Sequence, residues 1–213
     1  MSRLENLTVR EFADLLGSGA PAPGGGSAAA LSGALGAALL RMVAALTVGK
    51  EDYLEHNAFA EELVTGAEQL RRGFLDVMER DTEAFNNVSA VFSMPKNTKE
   101  EKTERRNALQ RALTACMQTP YEMMAFALAG LELADKGMGK TNRNAASDMG
   151  VAALSLKAAV QGAWLNILIN ASDIKDKEFV DQYIAVGRNI LEKAVTLADS
   201  IYERTLKELE IGD

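Results

Sequence analysis

Two stretches of this 213-residue chain combine residue types able to hold a polar ligand or move a proton. The first is Pro23-Gly24-Gly25-Gly26-Ser27, which runs directly into an Ala/Gly-rich helix. Glycines let a backbone approach a ligand closely, Ser27 is a natural N-cap, and the first-turn amides with the helix dipole favour an anion or a polar carbonyl. A tight turn between helices explains the segment about equally well. The second is Asn142-Arg143-Asn144-Ala-Ala-Ser147-Asp148, which brings two amides, a guanidinium, a hydroxyl and a carboxylate to the start of a very apolar helix. Ser147 or Asp148 acting only as that helix's N-cap is the competing reading. Between the two lies Asp81, in Arg80-Asp81-Thr82-Glu83-Ala84-Phe85. With Phe74, Met78 and Phe85 around it, Asp81 falls near an apolar stripe, where a carboxylate must be paired or functional.

Three further positions stand out less. Lys50 follows Thr47-Val48-Gly49 near a helix end, where the dipole alone favours a lysine, so a surface lysine is the default. Asn166 and Asn170 share one helix face at a spacing of four. Inside an apolar helix they need hydrogen-bond partners, and packing and pocket-lining roles stay open. His56 reads as an exposed residue near a helix start and Cys116 as a buried small hydrophobe.

The elements that position these residues all read as helices. Thr8 with Glu11 is a capping box for a short helix to Leu16, ended by Gly17, Gly19, Pro21 and Pro23. The small-residue helix spans Ser27 to about Val48, a long helix about Tyr53 to Phe92, and Thr98 with Glu101 caps another to Thr119. Pro120 is expected to kink or restart that helix, which continues to Lys136. A helix from about Ser147 to Ala171 is apolar on nearly every face and is expected to be central. A last amphipathic helix covers about Asp176 to Leu209. No segment alternates with period two, so the expectation is an all-α, single-domain helical bundle over 1–213, with a buried Ala/Gly-rich helix and an apolar central helix.

Composition excludes several classes. A formal net charge of −7 leaves no basic field for nucleic acid. One cysteine rules out an intramolecular disulfide, and one histidine leaves no His/Cys zinc pattern, so no metal site is expected. The stretch Ser27 to Gly49 is long enough to cross a membrane. Its glycines and alanines dilute it, and Arg41 inside it would cost at least ~2.5 kcal/mol. A protein-buried helix is therefore expected, with no membrane partner. Met1-Ser2-Arg3-Leu4-Glu5 lacks a signal-peptide pattern, and a cytoplasmic protein is expected.

In combination these stretches resemble the cyclodeaminase/cyclohydrolase family, which includes the cyclodeaminase part of formiminotransferase-cyclodeaminase and stand-alone methenyltetrahydrofolate cyclohydrolases. The resemblance rests on Pro21-Ala-Pro-Gly-Gly-Gly-Ser27 with its Ala/Gly helix, Thr47-Val-Gly-Lys50 with Tyr53, Asp81 through Phe85, and Asn142 through Asn170, including Asp148-Met-Gly150-Val-Ala-Ala153. Ala145 departs from it, because such proteins often carry serine there. The resemblance implies a helical homodimer acting on the one-carbon bridge between N5 and N10 of a tetrahydrofolate substrate, with no other cofactor. It implies Asp148 and Asp81 as general acid/base groups, since burial can move a carboxylate pKa towards neutrality. Pro23, Gly24, Gly25, Gly26 and Ser27 would hold the folate's polar edge. Asn142, Asn144 and Ser147 complete the binding set, and Lys50, Arg143 or Lys140 would meet the tail carboxylates. Formimidoyltetrahydrofolate cyclodeaminase is the leading activity, with formimino substrate supplied by a separate formiminotransferase. Methenyltetrahydrofolate cyclohydrolase is the alternative, and a non-catalytic dimerising scaffold the reading from another class.

Overall fold

Six α-helices and three short 3-10 turns make up the computed structural model, which describes residues 3–210, with no strand among them. The extremities of the expected 1–213 domain, including Met1 and Ser2, lie outside the described residues. The helices are α1 (Val9–Leu16), α2 (Gly25–Ala45), α3 (Asn57–Phe92), α4 (Lys99–Gly137), α5 (Ala146–Ala171) and α6 (Lys177–Leu209). Both expected capping boxes form: Thr8 and Thr98 accept from the amides of Glu11 and Glu101, whose side chains reach back to the cap amides. Asp176 caps α6 through the Phe179 amide at 3.1 Å.

Sequence-level boundaries shift at four places. A 3-10 turn, Glu51–His56, precedes α3, so the long helix begins at Asn57 rather than near Tyr53, and Lys50 caps that turn instead of closing α2. Gly24 is the N-cap of α2, which puts Ser27 inside the first turn. Ala145, with no side-chain cap bond, precedes α5, so neither Ser147 nor Asp148 caps it. Finally, α4 runs unbroken through Pro120. Proline has no N–H to give the carbonyl four residues back, and here that carbonyl, on Cys116, accepts instead from Asn170 Nδ2 of α5 at 2.9 Å. A bond across helices replaces the one within the helix.

In the packing, α2 lies between α3 and α5, α6 flanks α5 on its far side, and α4 packs behind against α3, α5 and α6. Small residues make this arrangement possible. A Cβ at Gly33 would stand 2.3 Å from the Phe74 ring of α3, and one at Gly36 would stand 2.9 Å from Leu156 of α5. Ala30, Ala37, Leu40, Phe74, Met117, Met123, Leu156 and Ile167 are fully buried in one core.

α2 and α5 bury their small-residue sides as expected, and each also turns large apolar side chains outward. Leu35, Met42 and Leu46 on α2, with Val151, Leu154, Leu165 and Ile169 on α5, face outward, Leu165 at 66% and Ile169 at 70% exposure. Both helices are long and apolar enough to cross a membrane by composition, yet each buries its small-residue side against protein, and Arg41 pairs with Glu68 of α3 at 3.4 Å.

Replacing Gly33 by Ala tests the α2–α3 contact. Helix propensity alone would stabilise the alanine variant by about 1 kcal/mol, whereas overpacking costs about 1–3 kcal/mol. With Phe74 fully enclosed, the clash is expected to win, lowering the urea midpoint. A raised midpoint would show that α2 does not approach α3 as described.

Candidate functional site

The Gly24–Ser27 turn and Asp81 come together at one end of the bundle. The first-turn residues Gly25, Gly26 and Ser27 carry amides with no acceptor inside the helix, at its positive pole. The Asp81 carboxylate lies directly against them: a Cβ on Gly26 would fall 2.2 Å from Asp81 Oδ2. Only glycine leaves room for the carboxylate here. Ser27, 1% exposed, places its hydroxyl 3.4 Å from that of Thr82.

α4 supplies the opposite wall. Thr119, itself buried, donates to Asp81 Oδ1 at 3.3 Å. Asp81 has no basic partner among the described residues. Its neighbour Arg80 turns away to form a two-point pair with Glu122 (3.1 and 2.5 Å) and a bond to Asp76 (2.7 Å), fastening α3 to α4. Burial accordingly pushes the Asp81 pKa upward, with the Thr119 hydrogen bond opposing it. The nearby Cys116 thiol is pushed up to about 11 by burial and by the Asp81 charge, which keeps it protonated and a poor nucleophile.

α5 closes the site with amides. Asn166 donates to the Gly162 carbonyl at 2.8 Å, and its Nδ2 lies 3.9 Å from where a Gly25 Cβ would be. Asn170 holds the Cys116 carbonyl. The two asparagines thus divide: Asn170 locks α5 to α4, and Asn166 stands beside the glycine turn. Thr82 and Thr119 are site residues that the sequence reading missed. Pro120, which frees a carbonyl one turn back, and the Asn166/Asn170 pair mark this region in the sequence, but neither singles out a threonine.

The other expected residues gather at the far end of α2, about 30 Å away at 1.5 Å rise per residue. Asn142 donates from its amide to Thr47 Oγ1 (2.9 Å) and from its side chain to the Leu46 carbonyl (3.0 Å). The Arg143 amide donates to the Tyr53 hydroxyl at 3.0 Å, and its guanidinium reaches the Glu208 carbonyl at 3.4 Å. The Asn144 amide donates to Asn142 Oδ1. Lys50, Arg143, Asn144 and Ser147 are exposed, Asp148 is half-buried, and Lys140 lies over the Phe59 ring at 5.2 Å. A crevice lined by Asn142 has a volume of about 10 Å³, room for one water. Within one protomer, Asp148 and Asp81 therefore cannot serve the same carbon. No three His, Cys, Asp or Glu side chains converge as a metal-binding set among the described residues.

The chain has clear relatives among known proteins. A family model described as formiminotransferase-cyclodeaminase matches residues 8–187. A methenyltetrahydrofolate cyclohydrolase of Methylorubrum extorquens is 39% identical, over 93% of this chain and 95% of that protein. The formimidoyltransferase-cyclodeaminase of Sus scrofa is 33% identical over 92% of this chain, which spans 36% of that longer protein. Among solved structures, formiminotetrahydrofolate cyclodeaminase from Thermotoga maritima superposes with a TM-score of 0.81 at 29% identity, covering 97% of this chain and 98% of that one.

The burial of Asp81 has a stability consequence of definite sign. Its folded pKa is raised, so its protonation-linked stabilisation is full below the unfolded value and is lost as pH rises through the folded value. At neutral pH the ionised carboxylate therefore weakens the fold. Asp81→Asn is expected to raise Tm there, by about 2–4 °C for each kcal/mol relieved. The gain should shrink as pH falls and wild-type Asp81 takes up its proton. A gain independent of pH, or a loss at neutral pH, would contradict this.

Proposed function

Because the chain belongs to the formiminotransferase-cyclodeaminase family, whose matched members are enzymes of folate one-carbon chemistry, we propose that it is a methenyltetrahydrofolate cyclohydrolase with Asp81 as its proton-transfer group. The observation that carries the mechanism is a partly buried carboxylate with no cationic partner, set against free helix amides. For the reaction direction, the support is the 39% identity to a cyclohydrolase across nearly the whole of both chains. Cyclodeamination of a formimino-folate is the second reading, favoured by the likeness to the Thermotoga maritima protein.

The chemistry suits the site. The methenyl bridge is an amidinium cation, and Asp81 supplies the anion it lacks. Bound water gives a proton to Asp81 as its oxygen forms a bond to the one-carbon centre. The first-turn amides of Gly25, Gly26 and Ser27 face the negative charge developing on that oxygen, the role of an oxyanion site. Asp81 then returns the proton to N5 as the carbon–N5 bond breaks, and the hydroxyl becomes the formyl oxygen with loss of its proton. The products are 10-formyltetrahydrofolate and one proton, and no electrons change hands. In the deaminase reading the same carboxylate would protonate the departing ammonia after N10 attacks. Thr119 orients the carboxylate, and Thr82 holds Ser27.

The second cluster finds a use in a homodimer. Contiguous apolar faces as broad as the outward α2–α5 face are uncommon on monomers and mark interaction sites. A twofold pairing is self-complementary, and one that crosses α2 at right angles to its axis packs it antiparallel to its copy. The glycine turn of one protomer then approaches the Lys50 and Asn142–Asp148 end of the other. Lys50, Arg143 and Lys140 would meet the anionic glutamate tail from there, with Asn142, Asn144, Ser147 and Asp148 beside them.

Two measurements test these readings. Enzyme-dependent loss of methenyl absorbance without ammonia supports the hydrolase. Ammonia release from formiminotetrahydrofolate, with a rise in methenyl absorbance, supports the deaminase, and neither change would end both. Asp81→Asn should lower turnover about 10²–10⁴-fold, and Thr119→Val, which removes the opposing hydrogen bond, should move the acid limb of kcat/KM to higher pH. For the dimer, Leu35→Glu with Leu154→Glu should give a monomer by light scattering with activity lost. A fully active monomer would refute the shared site.

A further inference from the structure

A second concavity borders the Asp81 site, and neither the fold nor the proton chemistry above uses it. Its volume is about 440 Å³, within the range of small-ligand pockets. It lies between the N-terminal segment and α3. Arg3, Leu4, Leu7 and Leu15 form one side, with the Arg3 guanidinium paired to Glu5 at 3.0 Å, and Pro21 to Pro23 form another. Pro23 leads straight into the glycine turn. Thr82, another lining residue, carries the hydroxyl that meets Ser27. The remaining wall is α3, with Glu79, Glu83 and Asn86 at spacings of four and three along one side of the helix. Glu79 Oε1 accepts the Glu5 amide at 3.0 Å, which fixes that carboxylate and ties the N-terminal segment to α3.

Mostly apolar walls, with the one arginine already paired to Glu5 and two carboxylates on the α3 side, suit a flat heterocycle whose edge carries adjacent N–H donors. A reduced folate has two chemically opposite ends. Its pterin is flat and neutral, and presents the N3–H and 2-amino donors side by side, matching a carboxylate's two oxygens. Its benzoylglutamate tail is anionic, and Glu79 and Glu83 would repel it. We infer that this cavity is the pterin subsite, with Glu79 and Glu83 reading the 2-amino-4-oxo edge. The one-carbon bridge is thereby directed past Thr82 to Asp81, and the tail outward. The assignment rests on the folate reading above, and it fixes the orientation of the substrate.

Calorimetric titration with three probes tests it: tetrahydrofolate, tail-less 6-methyltetrahydropterin, and p-aminobenzoylglutamate. Glu83→Gln removes a charge on an exposed helix position, and Glu79→Gln keeps an oxygen for the Glu5 amide, so both variants should retain the wild-type circular dichroism and Tm. The double variant is expected to bind tetrahydrofolate and 6-methyltetrahydropterin roughly 10–100-fold more weakly, with p-aminobenzoylglutamate unaffected or tighter. If wild type binds tetrahydrofolate and the double variant binds both pterin probes equally well, the subsite assignment is overturned and the folate reading stands. If wild type binds neither tetrahydrofolate nor the pterin, both fall.

Discussion

The close approach of α2 to α3 is the constraint on which the rest of the structure depends. Two helices can come this near only where side chains are absent, and Gly26 and Gly33 leave that space on the α3 side of α2. At Gly33 the space takes the ring of Phe74, which lies in the core. At Gly26, two turns nearer the N-terminus, it takes a carboxylate. The same packing device thus does two jobs on one helix. In the middle it consolidates the fold, and at the end it brings Asp81 to unpaired amides. A helix with ordinary side chains at these positions would stand farther off, and Asp81 would be left in water with an ordinary acidity.

With Asp81 as the proposed proton-transfer group, this arrangement sets function against fold at one residue. A carboxylate lifted from its usual range by burial weakens the folded state at neutral pH, and the surrounding groups do little to relieve it. Arg80, the nearest candidate counter-ion in sequence, is held by Glu122 and Asp76. Were Arg80 to pair with Asp81, the carboxylate would be more stable and of less use to the cationic substrate proposed above. The ion pair instead holds α3 against α4 beside the site, keeping Thr119 within reach of Asp81.

Much of this was legible in the sequence, and the parts that were not have physical reasons. The all-helical class, both capping boxes and the proximity of Asp81 to the apolar stripe follow from local rules, because caps and 3.6-residue periodicity act within a turn or two. The expected site mixed residues from both ends of the molecule, because resemblance groups residues without placing them. The separation was present in the chain: Ser27 and Lys50 stand towards opposite ends of the α2 segment, whose rise per residue alone keeps them apart within one protomer. Thr82 and Thr119 were invisible, since a threonine on a helix looks the same whether its hydroxyl meets a carboxylate or its own backbone. Which faces of α2 and α5 turn outward was not legible, because hydrophobicity reports that a surface avoids water and not what covers it.

Pro120 has a consequence beyond keeping α4 intact. Apolar helix surfaces packed through small residues resist separation well but sliding poorly, since one methyl-sized hollow resembles the next. A directional bond has no such degeneracy. By leaving one carbonyl without its usual donor, the proline creates a single keyed position on α4 that only Asn170 fills. The key fixes how far along α4 the helix α5 may sit, and with it the height of Asn166 opposite Gly25. The missing proton on one backbone nitrogen thus acts as a ruler for the glycine-turn end of the bundle.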